Sequence, residues 1–164
     1  MRLAIGTAQF GMNYGLTNVS GKVQPAIVDE ILALARENRI NYIDTAANYG
    51  DAEKVIGRSK LGSQFNIVSK IPALPESGLT QGWFDQSLDA SLTNLKCTTL
   101  DSLLVHKADD LLRPEGIDLW SALLESKKAG EGEKNRLFCL YSRANKAITR
   151  NVFTKSDPVS SEFI

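Results

Sequence analysis

Between Leu3 and Gly130 the chain alternates four times between a short apolar run and an amphipathic run of helical period. Few folds tolerate that rhythm. Leu3 to Gly6 reads as a buried strand ending in glycine, and "GMNYGLTNVSGKVQ" as a Gly- and Asn-rich loop. Pro25 then opens a helix at the first position, where its missing N–H costs nothing. In "AIVDEILALAREN" the residues Ile27, Ile31, Leu34 and Ala35 are predicted to share the core face. "INYID" is the second strand, followed by a helix from about Ala52 to Arg58; "FNIVSK" is the third, ending at Lys70. The helix "GWFDQSLDASLTNL" carries Phe84, Leu88, Leu92 and Leu95 as its stripe. "DSLLVH" is the fourth strand, ending at His106, and "IDLWSALLESKKAG" the last helix, with Ile117, Trp120, Leu123 and Leu124 as its stripe and Gly130 as its end. Successive strand–helix units require a parallel sheet with right-handed crossovers. The candidates are a doubly wound sheet and a (β/α)8 barrel. No G-x-G-x-x-G follows the first strand, which counts against a dinucleotide-binding doubly wound fold.

Composition narrows the function classes rather than the fold. The formal net charge is zero, so no global field draws the chain to nucleic acid or an anionic membrane. The longest apolar runs are far too short to span a bilayer, and "MRLAIGTAQFG" lacks the apolar stretch of a secretory signal. A cytoplasmic location is therefore expected. Cys97 and Cys139 offer neither a disulfide framework nor metal-ligand spacing, so no metal is expected.

Ionisable side chains recur at the strand ends: Asp44 on the second, with Tyr49 five residues on, Lys70 on the third, and His106, the only histidine, on the fourth. In a parallel barrel these positions open onto one face, where catalytic groups gather. Alone, each has an ordinary explanation: a turn-capping Asp, a packing Tyr, a solvated Lys. In succession they point to one site.

The motifs "IGTAQFG", "IDTAANYGDAEKVIG", "IVSK" and "LLVHK" resemble the aldo-keto reductase family, over roughly Leu3 to Gly130. The resemblance implies an α/β fold, here a partial (β/α)8 TIM barrel of about four βα units followed by an irregular tail. It also implies an NADPH-dependent oxidoreductase that reduces a small carbonyl substrate to an alcohol, with Asp44, Tyr49, Lys70 and His106 as catalytic residues. Tyrosine is a poor acid, with an unperturbed pKa of about 10, and a neighbouring ammonium favours its phenolate. On this reading Tyr49 donates the proton, Lys70 tunes it, Asp44 holds Lys70, and His106 directs the carbonyl oxygen. Gly6, Thr7 and Asp44 are implied to hold NADPH, with Gly6 giving close approach to the nicotinamide. Glu53 matches a position that supports the tyrosine loop. Asn48 is implied to line the substrate region, and Trp83 either lines it or packs in the core.

After Gly130 the rhythm stops. Residues 131–164 begin with the near-continuous polar run "EGEKNR", which fails as a strand. Codons allowed by this tail, read with one G removed after Gly130, translate as "KVKKIGFSVY", resembling the family's fifth strand. Two domains of unequal standing are thus expected: 1–130, the N-terminal half of the barrel, and 131–164, a frameshifted and poorly ordered tail, with a divergent native tail as the alternative. Four units cannot close an eight-stranded barrel. Turnover by this chain is not expected, and self-association through the open edges is. The alternative function is non-catalytic: a pseudogene product, or a binding protein on a reductase scaffold.

Overall fold

Apolar β-formers flanked by turn residues give four short strands: β1 (Ala4–Gly6), β2 (Tyr42–Asp44), β3 (Asn66–Ile71) and β4 (Ser102–Val105). The computed structural model describes residues 3–80 and 82–130, with side chains to Lys127; the tail 131–164 lies outside the described residues. All neighbouring strands are parallel, in the order β1-β2-β3-β4. A doubly wound sheet reverses its order at a switch point. This sheet never reverses, and is part of a (β/α)8 barrel.

The helices are α1 (Ala8–Gly11), α2 (Pro25–Glu37), α3 (Ala52–Arg58), α4 (Trp83–Leu95) and α5 (Gly116–Gly130), with single 3-10 turns at Gly62–Gln64 and Ala108–Leu112. The sequence reading omits α1, only one turn long, and misplaces two strand ends by one residue: β3 runs on to Ile71, and His106 follows β4. Register sets Gly6 beside Asp44, Asp44 beside Val68, and Lys70 beside Leu104. Side chains alternate across the sheet. Ile43, Ile67, Ile71 and Leu103 are buried in the core with Val28, Leu32, Ile56, Phe84, Leu119 and Leu123 of the helices. Tyr42, Asp44, Val68, Lys70 and Leu104 stand on the opposite, half-open face.

Two helix stripes differ from expectation. On α2 the core residues are Val28, Leu32 and Ala35, whereas Ile27 is 45% and Leu34 60% exposed. On α5 they are Leu119 and Leu123, and Ile117 is 52% exposed. The reason is geometric. Both helices are apolar over an arc wider than the sheet covers, and the period alone does not say which part of the arc the sheet meets. On α4, Phe84 and Leu95 are buried as expected, while Leu88 and Leu92 pack at the core margin.

Candidate active site

The three strand-end residues Asp44, Lys70 and His106 converge with Tyr49 at one end of the half-open face. Lys70 Nζ donates to Asp44 Oδ1 at 2.5 Å and to the Thr45 carbonyl at 3.0 Å. It also lies 5.0 Å from the centroid of the Tyr49 ring, a cation–π distance. Tyr49 in turn meets His106 edge to face, with ring centroids 5.9 Å apart and planes at 75°. Asp44, Tyr49, Lys70 and His106, three of them brought by different strands, thus form one contiguous group.

Tyr49 sits on a loop pinned by close backbone approach. Its N–H donates to the Ala46 carbonyl at 3.0 Å. A Cβ added to Gly11 would fall 1.7 Å from the Tyr49 carbonyl oxygen. Gly50, at φ +60°, lies against the Gly11 carbonyl, which a Cβ would approach to 2.4 Å. Only glycines let α1 and the tyrosine loop meet this closely.

Beneath that loop, Glu53 is 3% exposed and accepts from Ser69 Oγ at 2.7 Å. Asn94 Nδ2 lies at 3.5 Å from its other oxygen. Glu53 therefore ties α3 to β3 and α4. Thr7 is fully buried, its N–H and Oγ1 both donating to the Asp44 carbonyl at 3.1 and 3.0 Å. Its polar atoms are committed to β2, so it fixes the end of the sheet rather than facing the site.

His106 is half-buried, and its Nδ1 has no hydrogen-bond partner within the described structure. Burial first, and the Lys70 ammonium second, push its pKa below the ordinary value of 6.5. The neutral form of the imidazole, which presents one N–H donor, is thereby favoured.

Asn48 is exposed beside Tyr49. Trp83 is half-buried against the core and also lines a cavity of about 320 Å³ with Ala47, Glu53, Pro72 and Asn94. The loop 11–24 is built around Asn18, which the sequence reading does not single out. Its amide donates to the Tyr14 and Gly21 carbonyls at 2.9 and 2.8 Å, and its Oδ1 accepts from the Ser20 and Gly21 N–H groups at 3.1 Å each. Lys22 then pairs with Asp51 at the start of α3, and that hydrogen bond pushes the Asp51 pKa below the ordinary carboxylate value. The signal was an Asn two residues before a Ser-Gly pair, a turn-rich stretch in which Asn bonds the nearby backbone. Asp110 was also missed: 1% exposed, it accepts from the Leu74 N–H at 2.8 Å and locks the chain after β3 to the turn after β4. Among the described residues no helix is long and apolar enough to cross a membrane.

Residues 2–132 match the model of the aldo/keto reductase family. None of the curated proteins compared matches. Among solved structures, an aldo-keto reductase of Pseudomonas aeruginosa aligns at 28% identity and TM-score 0.61, over 77% of this chain and 51% of its own. A thermostable aldo-keto reductase in complex with the inhibitor epalrestat aligns at 24% identity and TM-score 0.64, over 90% of this chain and 53% of its own. One from Bacillus halodurans, in its holo form, aligns at 18% and 0.62, over 91% and 49%. These last two share the fold alone. The chain spans about half the length of the solved structures it matches.

Proposed function

The chain belongs to the aldo/keto reductase family, and from that premise we propose that it carries the proton-transfer half of a carbonyl reductase site, reducing an aldehyde or ketone to an alcohol with Tyr49 as the acid. The observation that carries this reading is the position of the Lys70 ammonium, bonded to Asp44 and set against the face of Tyr49.

A phenol gives up its proton only if the phenolate it leaves is stabilised. The Lys70 charge supplies that stabilisation, and Asp44 holds the ammonium in place. His106, kept neutral, donates its N–H to the substrate oxygen and aligns it for Tyr49. NADPH, when bound, supplies the hydride. Gly6 suits a flat ring: a Cβ there would meet nothing within 4 Å, so its face is open, and it is paired with Asp44 in the sheet. Asp44 borders that face through its side chain, while Thr7 serves it only by shaping the backbone.

Activity is proposed to belong to the barrel completed after Gly130, with residues 131–164 read out of frame. Sequencing the gene across the Gly130 codon tests the second point, since a single surplus base with family-like sequence behind it is expected. For the first, residues 1–130 are fused to the second half of the Pseudomonas aeruginosa relative, and loss of NADPH absorbance is followed with a small aldehyde. Turnover is expected from the fusion, none above background from the chain alone, and Tyr49→Phe is expected to lower the fusion's rate by about 10²–10⁴-fold. Full activity in Tyr49→Phe would remove Tyr49 from its role. Titrating the full chain with NADPH while following fluorescence of its two tryptophans separates this reading from a scaffold that binds no cofactor.

A further inference from the structure

The chain that leaves β3 cannot go on pairing in the sheet. It reads "IPALP" from Ile71, and neither Pro72 nor Pro75 has an N–H to give to a ladder. Among the described residues, backbone bonding between β3 and β4 ends at one long bond, from the His106 N–H to the Ile71 carbonyl at 3.3 Å. His106 itself stands one residue past β4. Tyr49 is pinned by Gly11 and Gly50, and Lys70 by Asp44 and the Thr45 carbonyl. The sheet alone gives His106 no comparable restraint.

Side chains take over where the backbone stops. Leu74 is buried, so its N–H needs an acceptor, and Asp110, itself 1% exposed, supplies one at 2.8 Å. Arg113, at the end of the same 3-10 turn, reaches the same stretch. Its Nη1 donates to the Leu74 carbonyl at 3.3 Å and its Nη2 to the Pro75 carbonyl at 3.0 Å. Asp110 and Glu115 flank the guanidinium, each with an oxygen 3.6 Å away, and hold its charge in place. A planar fork suits two successive carbonyls better than an ammonium does. The grip also has a firm base. A Cβ at Gly116, which opens α5, would fall 2.2 Å from the Leu111 carbonyl oxygen, so the turn is seated directly on that helix. The ties from His106 to Ile71 and from Asp110 to Leu74 thus enclose a small ring of chain, with His106 at one corner.

We infer that Asp110 and Arg113 are positioning residues for the candidate site, keeping His106 against the Tyr49 ring and within reach of the Lys70 charge. Their hydrogen bonds go to the backbone of Leu74 and Pro75, and they act on the site through it. The role rests on the reading of His106 as the group that aligns the substrate oxygen for Tyr49. An aligning group must be held to within about 0.5 Å, and a residue beyond a strand end reaches that precision when its loop is tied down.

The test is made by NMR on the full-length chain, whose one imidazole reports its position whether or not the chain turns over. The carbonyl-reductase reading is tested apart from this, by Tyr49→Phe in the fusion. Position is read from a nuclear Overhauser cross-peak between the His106 and Tyr49 rings, whose centroids are 5.9 Å apart. Asp110→Ala is expected to abolish it, and Asp110→Asn, whose amide oxygen still accepts from Leu74, to keep it. In the Asp110→Ala background, Lys70→Met is expected to move the His106 titration midpoint much less than it does in the unaltered chain. Leu32→Ala is the control for general loosening, since it opens the core under α2 and should leave the cross-peak in place. Where circular dichroism shows that Asp110→Ala does not fold, Arg113→Met takes its place and is expected to weaken the same cross-peak. A folded Asp110→Ala or Arg113→Met chain with an undiminished cross-peak overturns the inference. So does its loss in Asp110→Asn, or its loss in Leu32→Ala to the same degree, which would make the effect one of stability alone.

Discussion

His106 is the only histidine in the chain, so its imidazole resonances can be followed without ambiguity. Because burial and the Lys70 ammonium both disfavour its charged form, its NMR titration midpoint is expected below 6.5. Lys70→Met should raise that midpoint only part of the way, because burial, the larger cause, remains. An unchanged midpoint would mean that the ammonium does not act on the ring. The consequence for stability has a definite sign. With the folded pKa depressed, the unfolded chain takes up the proton first, so this group's contribution is intact above about pH 6.5 and declines as pH falls toward the folded value. Replacing His106 by Gln should flatten that part of a denaturation-midpoint profile and leave the neutral region alone. At this scale the sequence was a good guide to which side chains the fold gathers, Asp44, Tyr49, Lys70 and His106, since strand-end polar residues are visible as breaks in apolar runs. It did not reveal that Thr7 spends both donors on the Asp44 carbonyl, because backbone partners leave no trace in residue type.

The crossing of α3 and α4 depends on Gly57, where a Cβ would come within 2.2 Å of the Asn94 carbonyl oxygen. Gly57→Ala is expected to force the helices apart and cost about 1–3 kcal/mol, read from urea unfolding. Lys96 ends α4 in the left-handed region at φ +53°, a conformation that β-carbon crowding disfavours. Lys96→Gly should therefore stabilise the chain by about 1 kcal/mol, measured in the same way. Element boundaries were legible from the sequence where strong punctuation existed: Pro25 does open α2, and α3 covers Ala52–Arg58 as expected. The faces were less so. Ile27, Leu34 and Ile117 are periodic with the core residues, yet they stand exposed. A helical period reports how wide the apolar arc is, and only the position of the sheet decides which part of it is covered.

Across the whole molecule the sequential strand order follows from the alternation of elements, but the extent of exposure does not. Leu32 is fully buried between α2 and the sheet, and Leu32→Ala is expected to cost about 2–5 kcal/mol in global unfolding. The exposed isoleucine and leucine side chains of α2 and α5 matter beyond the test tube. Exposed isoleucine and leucine are what chaperones and proteases recognise on an unfinished protein. Ile27, Leu34 and Ile117 are of that kind, so whatever covers them also shields the chain from that recognition and slows its clearance.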